Sequence, residues 1–351
     1  MPIRTNVFVV GAGASEEVNF PIGSQLKTNI AEALRLRNKL GVPYGLIQDE
    51  TLSDIIYQHT LQTGGALDGQ FAFEACHQIS AAMSTTDSID RFLNSHRDNQ
   101  WIQTCGKLAI TRQILQYEDT LFPHGNAISG IRLPDLDKLE QTWFAAFFKM
   151  ISGGTIEEVK LRLSRISFIV FNYDRCIQHH LIHALCLAHL LAESQAAKLV
   201  EQIEFIYPYG SIGPLPWQIV AQDCIQFGFC VPQNYDLYPV SAKIKTVTES
   251  ADEGTVKLIK TRMLQARNIV FLGFGFLQNN MNLLTADPAD RANVNSAQVY
   301  ATSYGISIDD NADIEDRLDA FRGTGMTHLY PGKCVGMFHE YNRAFIDMLN
   351  H

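Results

Sequence analysis

A short run, Asn6 to Val10, passes straight into Gly11-Ala12-Gly13-Ala14-Ser15, and no other stretch constrains the fold as tightly. Val7 to Val10 is apolar at every position, so a strand here must be covered on both faces. That favours a parallel sheet with helices on either side. The glycine turn then opens a helix near Ser15. Gly11 reads as making the tight turn, Gly13 as letting backbone approach a pyrophosphate, and Ser15 as capping the helix or bonding an oxygen. The pattern is neither a full Gly-x-Gly-x-x-Gly nor a P-loop, since no Gly-Lys-Ser/Thr follows. An ordinary tight turn with a serine cap uses the same residues, so the loop alone leaves both readings open.

Further strand signals lie at Ile166 to Phe171, Ile203 to Tyr207, Asn268 to Leu272 and Gln298 to Ala301, each separated by helical or loop sequence. Cys334 to Phe338 reads as a last strand before a short C-terminal helix. Residues 24–36, 70–83, 88–96, 99–118 and 136–152 carry apolar residues at helical spacing, and 172–200 reads as one long helix. The expected fold class is therefore α/β: a Rossmann-like parallel sheet flanked by helices, with a large helical insertion between its first and second strands. In that reading residues 1–45 and 161–351 form a discontinuous nucleotide-binding domain, and 46–160 form a helical insertion or lid over the carboxyl ends of the strands.

The totals narrow the function classes. Net charge is −9 with no long run of Lys or Arg, which argues against a general nucleic-acid binder. No apolar stretch reaches the roughly 18 residues of a membrane span, and the first residues read as a strand rather than a targeting segment. Seven cysteines without a Cys-x-x-Cys disfavour a zinc ribbon or redox pair and fit a reducing cytoplasm.

Three later segments carry polar groups where open α/β sheets place them, at strand ends. Phe171-Asn172-Tyr173-Asp174 offers Asn172 to a ribose hydroxyl or a water and Asp174 to orient it, although both also suit helix caps. Tyr207-Pro208-Tyr209-Gly210-Ser211 follows the next strand and also suits a Pro-Gly turn. Phe271-Leu272-Gly273-Phe274-Gly275-Phe276 enters a glycine-rich loop with Asn279, Asn280 and Asn282 beyond it; a bulged strand end is the plain alternative. His179, His180 and His183 share a helix, but no obvious third ligand accompanies the i, i+4 pair, so no metal site is expected.

Taken in order, these segments resemble the SIR2-like branch of the sirtuin superfamily. Gly11 to Ser15 with Phe20-Pro21-Ile22-Gly23 resembles its first nucleotide loop, Asn172-Tyr173-Asp174 its Asn-x-Asp motif, and Gly273-Phe274-Gly275-Phe276 with Asn280 its late Gly-x-x-Phe loop. Ser88-Ile89-Asp90-Arg91-Phe92-Leu93 resembles a stretch that borders the cleft. The strand context of the match spans residues 5–30 and 165–305.

The resemblance implies NAD as substrate, with no metal. Its binding residues would be Gly11, Ala12, Gly13, Ala14, Ser15, Pro21, Gly23, Asp90, Gly210, Ser211, Gly273, Phe274, Gly275, Phe276, Asn280 and Thr302. Without the four-cysteine ribbon of deacetylating sirtuins, the chain looks more like the bacterial anti-phage SIR2-like effectors. These hydrolyse NAD to ADP-ribose and nicotinamide and work as oligomers or with a separately encoded sensor or nucleotide-processing protein. One departure stands out: where the family presents a catalytic histidine, this chain has Tyr207 and Tyr209. The expected catalytic set is thus Asn172, Asp174, Tyr209 and Tyr207, and the alternative is a subunit that binds NAD or ADP-ribose without turnover.

Overall fold

The computed structural model describes residues 5–37, 46–63, 66–121, 127–128, 131–132, 139–218, 224–232, 235–246, 249, 252–286 and 296–350. Six strands form its main sheet: β1 (Asn6–Val10), β2 (Ile166–Val170), β3 (Glu204–Ile206), β4 (Asn268–Leu272), β5 (Gln298–Thr302) and β6 (Thr327–Tyr330). All neighbours pair parallel, with Val7 opposite Ser167 on one side and Ile269 on the other. The order across the sheet is β3-β2-β1-β4-β5-β6. The chain winds outward from β1 to β3, then returns to β4 on the other side of β1. This is the order of dinucleotide-binding Rossmann sheets, and it opens a crevice where the winding reverses, between the carboxyl ends of β1 and β4.

The chain divides into two compact units. The sheet unit comprises Met1–Asn19, Gly125–Pro208 and Ala251–His351; the helical unit comprises Phe20–His124 and Tyr209–Ser250. Residues 143–160, which the sequence assigns to the helical block, lie in the sheet unit, within its helices Trp143–Ile151 and Ile156–Ser164 and the turn between them.

In the sheet unit β1 is buried at every position, as its uniform apolar run requires. Phe8 stacks on Phe168 and meets Phe147 edge-on, joining β1 and β2 to the helix Trp143–Ile151. Glu204 on β3 takes both Nε and Nη2 of Arg262 at 2.6 and 2.9 Å and the Ser167 hydroxyl at 2.7 Å, fastening the helix Glu253–Gln265 to the sheet. The helical unit contains the helices Gly23–Ala33, Glu50–Thr63, Ala66–Ala82, Ile89–Ser95 and Gln100–Leu121, and the short antiparallel pair Leu36–Arg37 with Leu46–Ile47.

Two sequence expectations are corrected. Cys334–Glu340 is a helix, and the last strand is Thr327–Tyr330. The buried residues Cys334, Met337 and Phe338 recur at helical spacing, whereas β6 is half-exposed throughout and lacks an apolar run. The long helix over 172–200 is two helices, Cys176–His189 and Glu193–Val200. They part at Leu190, whose φ of 52° closes the first with a left-handed residue. Among the described residues no helix is long and apolar enough to cross a membrane.

Candidate functional site

The first loop owes its glycines to another loop of the same sheet. Gly11 is extended (φ −111°, ψ 178°), a conformation open to any residue, so no special torsion demands glycine. A Cβ on Gly11 would instead lie 2.5 Å from the Gly273 carbonyl oxygen, and one on Gly13 would lie 3.0 Å from the Gly273 Cα. Gly273 itself sits at φ +52°, and its Cβ would fall 2.0 Å from the Ala14 nitrogen. Three glycines thus let the loops after β1 and β4 touch backbone to backbone. Hydrogen bonds seal the contact: Gly11 N–H donates to Leu272 O at 2.9 Å and Gly13 N–H to Gly273 O at 3.0 Å. Ala14 N–H returns to Gly11 O at 3.0 Å. These three amides are engaged within the chain.

Gly275 is different. A Cβ there would meet nothing within 4 Å, so packing does not require the glycine, which is exposed. Its neighbours Phe274 and Phe276 are buried, 5.3 Å apart and edge to face, with Phe274 also against Phe171. Phe276 holds a positive φ of 50°, costly for a bulky side chain, and Arg317 Nη1 donates to its carbonyl at 3.2 Å. Thr302, at the end of β5, accepts from Gly273 N–H at 2.8 Å and so orients the loop from beneath. Asn280 lies half-buried on the helix Gln278–Leu284.

Asn172, Asp174 and Ser15 form one buried network. Asn172 Nδ2 donates to Gly11 O at 3.0 Å and to Ser15 Oγ at 2.9 Å, while Ser15 Oγ donates to Asp174 Oδ2 at 2.8 Å. Asp174 Oδ1 accepts from Cys176 N–H at 3.1 Å, at the start of the next helix. Because a carbonyl can only accept, Gly11 O fixes which end of the Asn172 amide faces it. Both amide hydrogens are therefore engaged inward, and among the described residues Oδ1 is left as the acceptor the network does not use. Of the two roles expected of Ser15, the helix cap is not the one it takes. It lies inside the helix Ala12–Glu16, whose N-cap is Gly11, and its hydroxyl links Asp174 to Asn172. Asp174 orients Asn172 through Ser15 rather than directly.

Sequence reasoning missed Glu17. Its Oε2 accepts from Trp143 N–H at 2.9 Å and its Oε1 from Val335 N–H at 3.0 Å, so one carboxylate caps two helices. Trp143 Nε1 in turn donates to Ala14 O at 2.9 Å. Burial raises the Glu17 carboxyl above its ordinary value, against the lowering pull of these N–H donors and of Lys333. The need shows only in the structure: neither Thr142 nor Lys333 caps its own helix with a side chain, so those ends take an outside acceptor.

The tyrosines separate. Tyr207 belongs to the sheet unit, where its hydroxyl donates to Gln178 Oε1 at 3.0 Å. Tyr209 belongs to the helical unit with Gly210, Ser211, Asp90, Pro21 and Gly23. There burial, and then the Asp90 charge, push the Tyr209 phenol up to about 12, keeping it protonated at neutral pH as a hydrogen-bond donor. Gly210 needs its glycine: φ is +69°, and a Cβ would meet the Lys243 carbonyl oxygen at 2.0 Å.

The histidine helix predicts a pH dependence. Burial lowers His179, His180 and His183 alike, bringing His180 to about 4. The unfolded chain, with histidines near 6.5, then binds more protons than the folded one below that pH. Their contribution is complete above about pH 6.5 and lost as pH falls toward 4. Thermal melting of wild type and His180→Asn from pH 7.5 to 4 should show a shallower acid decline in the variant; parallel curves would remove His180 from the account.

No known protein family matches the chain, and no curated protein matches its sequence.

Proposed function

We propose that the sheet unit binds NAD and that the chain hydrolyses its nicotinamide–ribose bond, giving nicotinamide and ADP-ribose. The observation that carries the reading is the strand order β3-β2-β1-β4-β5-β6, with its reversal between two glycine loops. Dinucleotides lie across such a crevice. Gly275, in the loop after β4, is exposed with open space where a Cβ would lie, and the strand on the other side of β1 leads into Asn172, whose amide is locked with an acceptor to offer. The resemblance to SIR2-like effectors supports NAD over other dinucleotides. In the same reading the protein acts as an NAD-depleting effector of bacterial anti-phage defence, in the cytoplasm, as an oligomer or with a separately encoded sensor.

In this reading Asn172 Oδ1 accepts from a ribose hydroxyl. Ser15 and Asp174 keep the amide from rotating, so orientation is fixed before substrate arrives. Nicotinamide departs with the bonding electrons while the sugar becomes oxocarbenium-like. Water adds to the anomeric carbon and releases a proton to solvent. Little base assistance is needed, and stabilising the developing cation is the larger contribution. The stretch Tyr207 to Ile212, which has no histidine where the resembled family presents one, favours the second reading, NAD or ADP-ribose binding without turnover.

Calorimetric titration of the chain with NAD and with ADP-ribose, followed by chromatography of the NAD sample, separates these outcomes. Binding with nicotinamide accumulating supports the hydrolase. Binding without product supports the regulatory subunit, and no binding of either ligand removes both.

A further inference from the structure

The helical unit contains a groove of about 820 Å³ that the NAD reading does not use. It runs between the helices Gly23–Ala33 and Gln100–Leu121, the start of Glu50–Thr63 and the short strands at Arg37 and Gln48. Its lining is dominated by carboxamides and charged side chains, so a hydrocarbon ligand is not what it suits.

Arg112 gives the groove its character. The side chain is only 14% exposed, and its Nε donates to Asp49 Oδ2 at 3.0 Å. Gln116 Nε2 reaches the same oxygen at 3.3 Å, and Leu52 N–H donates to Asp49 Oδ1 at 2.9 Å. Asp49 is thereby satisfied on both oxygens and holds the guanidinium by one edge. Among the described residues neither Nη group of Arg112 has a hydrogen-bond partner, although the side chain is largely enclosed. An enclosed guanidinium with its two-pronged face unused matches a ligand with two adjacent acceptors.

The charge balance selects among such ligands. Asp49 already neutralises Arg112, Glu50 pairs with Arg37 and Glu32 with Arg35, so among the described residues the groove holds no uncompensated cation and a phosphate or carboxylate gains little net attraction. A neutral planar edge suits it better. The O6 and N7 acceptors of guanine present the spacing that an arginine fork reads. Guanine also carries N1–H and N2–H donors, which need acceptors. Gln113 supplies one: its Nε2 is engaged by Gln116 Oε1 at 2.9 Å, leaving its own Oε1, and Glu32, whose Oε2 is held by Arg35 at 2.7 Å, supplies its other oxygen. We infer that this groove binds a guanine base or nucleoside, with the Arg112 fork on the O6/N7 edge and Gln113 on the donor edge.

Calorimetric titrations of the full chain with guanosine, adenosine and inorganic phosphate test the inference. Wild type should saturate with guanosine at one site and bind adenosine about tenfold or more weakly, because adenine offers a donor where guanine has O6. Phosphate should neither bind there nor displace guanosine. Arg112→Lys keeps a positive charge beside Asp49 but removes the fork, and should weaken guanosine about tenfold or more. Should Arg112→Lys fail to fold, Gln113→Ala decides the matter by weakening guanosine while leaving phosphate inert. Absence of guanosine binding, equal affinity for the two nucleosides, or displacement by phosphate would each overturn it.

Discussion

Gly273→Ala is expected to destabilise the chain by about 2–5 kcal/mol, summing a left-handed alanine and overpacking against fixed backbone. The substitution combines both at once: φ is +52°, and the new Cβ would lie 2.0 Å from the Ala14 nitrogen and 2.2 Å from the Gly13 carbonyl carbon. Neither neighbour is a flexible side-chain end, so the loops after β1 and β4 must separate and release the Gly13 N–H bond to Gly273 O. Gly275→Ala, two residues on, is the internal control. Nothing lies within 4 Å of its added Cβ, so stability should change by no more than about 0.5 kcal/mol. If a ligand fills that room, Gly275→Ala nevertheless weakens NAD binding. Chemical denaturation of both variants beside an NAD titration checks the pair. Equal stabilities for the two would contradict the packing account of the loop.

The second large effect is expected at Asn172. Removing its amide in Asn172→Ala leaves Gly11 O and Ser15 Oγ without their donor, a cost of about 1–3 kcal/mol for buried groups. Under the proposed function it also takes away the acceptor offered to a ribose hydroxyl, and turnover of NAD should then fall about 10²–10⁴-fold, the scale on which a misplaced reacting group is felt. Asn172→Asp discriminates further. A carboxylate has the same shape but cannot donate to Gly11 O and would set two acceptors face to face. It should therefore be at least as destabilised as the alanine variant. An Asp variant as stable as wild type would mean that the amide is not oriented as described.

How much of this was legible in the sequence follows from what each element needs locally. β1, β2 and β4 are continuous apolar runs because both faces are covered, and such runs can be read directly. β6 escaped because a half-exposed edge strand needs no such run, and the helix Cys334–Glu340 was misread because only its spacing, not its composition, is helical. The loop glycines were found for an incomplete reason. Sequence suggests that Gly11 makes a tight turn and Gly13 makes way for a ligand; the structure shows that both also make way for Gly273, 260 or more residues along the chain. The Ser15–Asp174 bond joins residues 159 apart, and nothing local to either announces it. The helical unit was unreadable as one piece because residues 209–250, which complete it, lack apolar periodicity.

The central claim is that the Asn172 network at the β1–β4 crevice serves NAD cleavage. Nicotinamide release from NAD by the wild-type chain and by Asn172→Ala, assayed side by side at a temperature where both are folded, tests it most directly. The account predicts steady release by wild type and a loss of about 10²-fold or more in the variant. Release at equal rates by both proteins would contradict it.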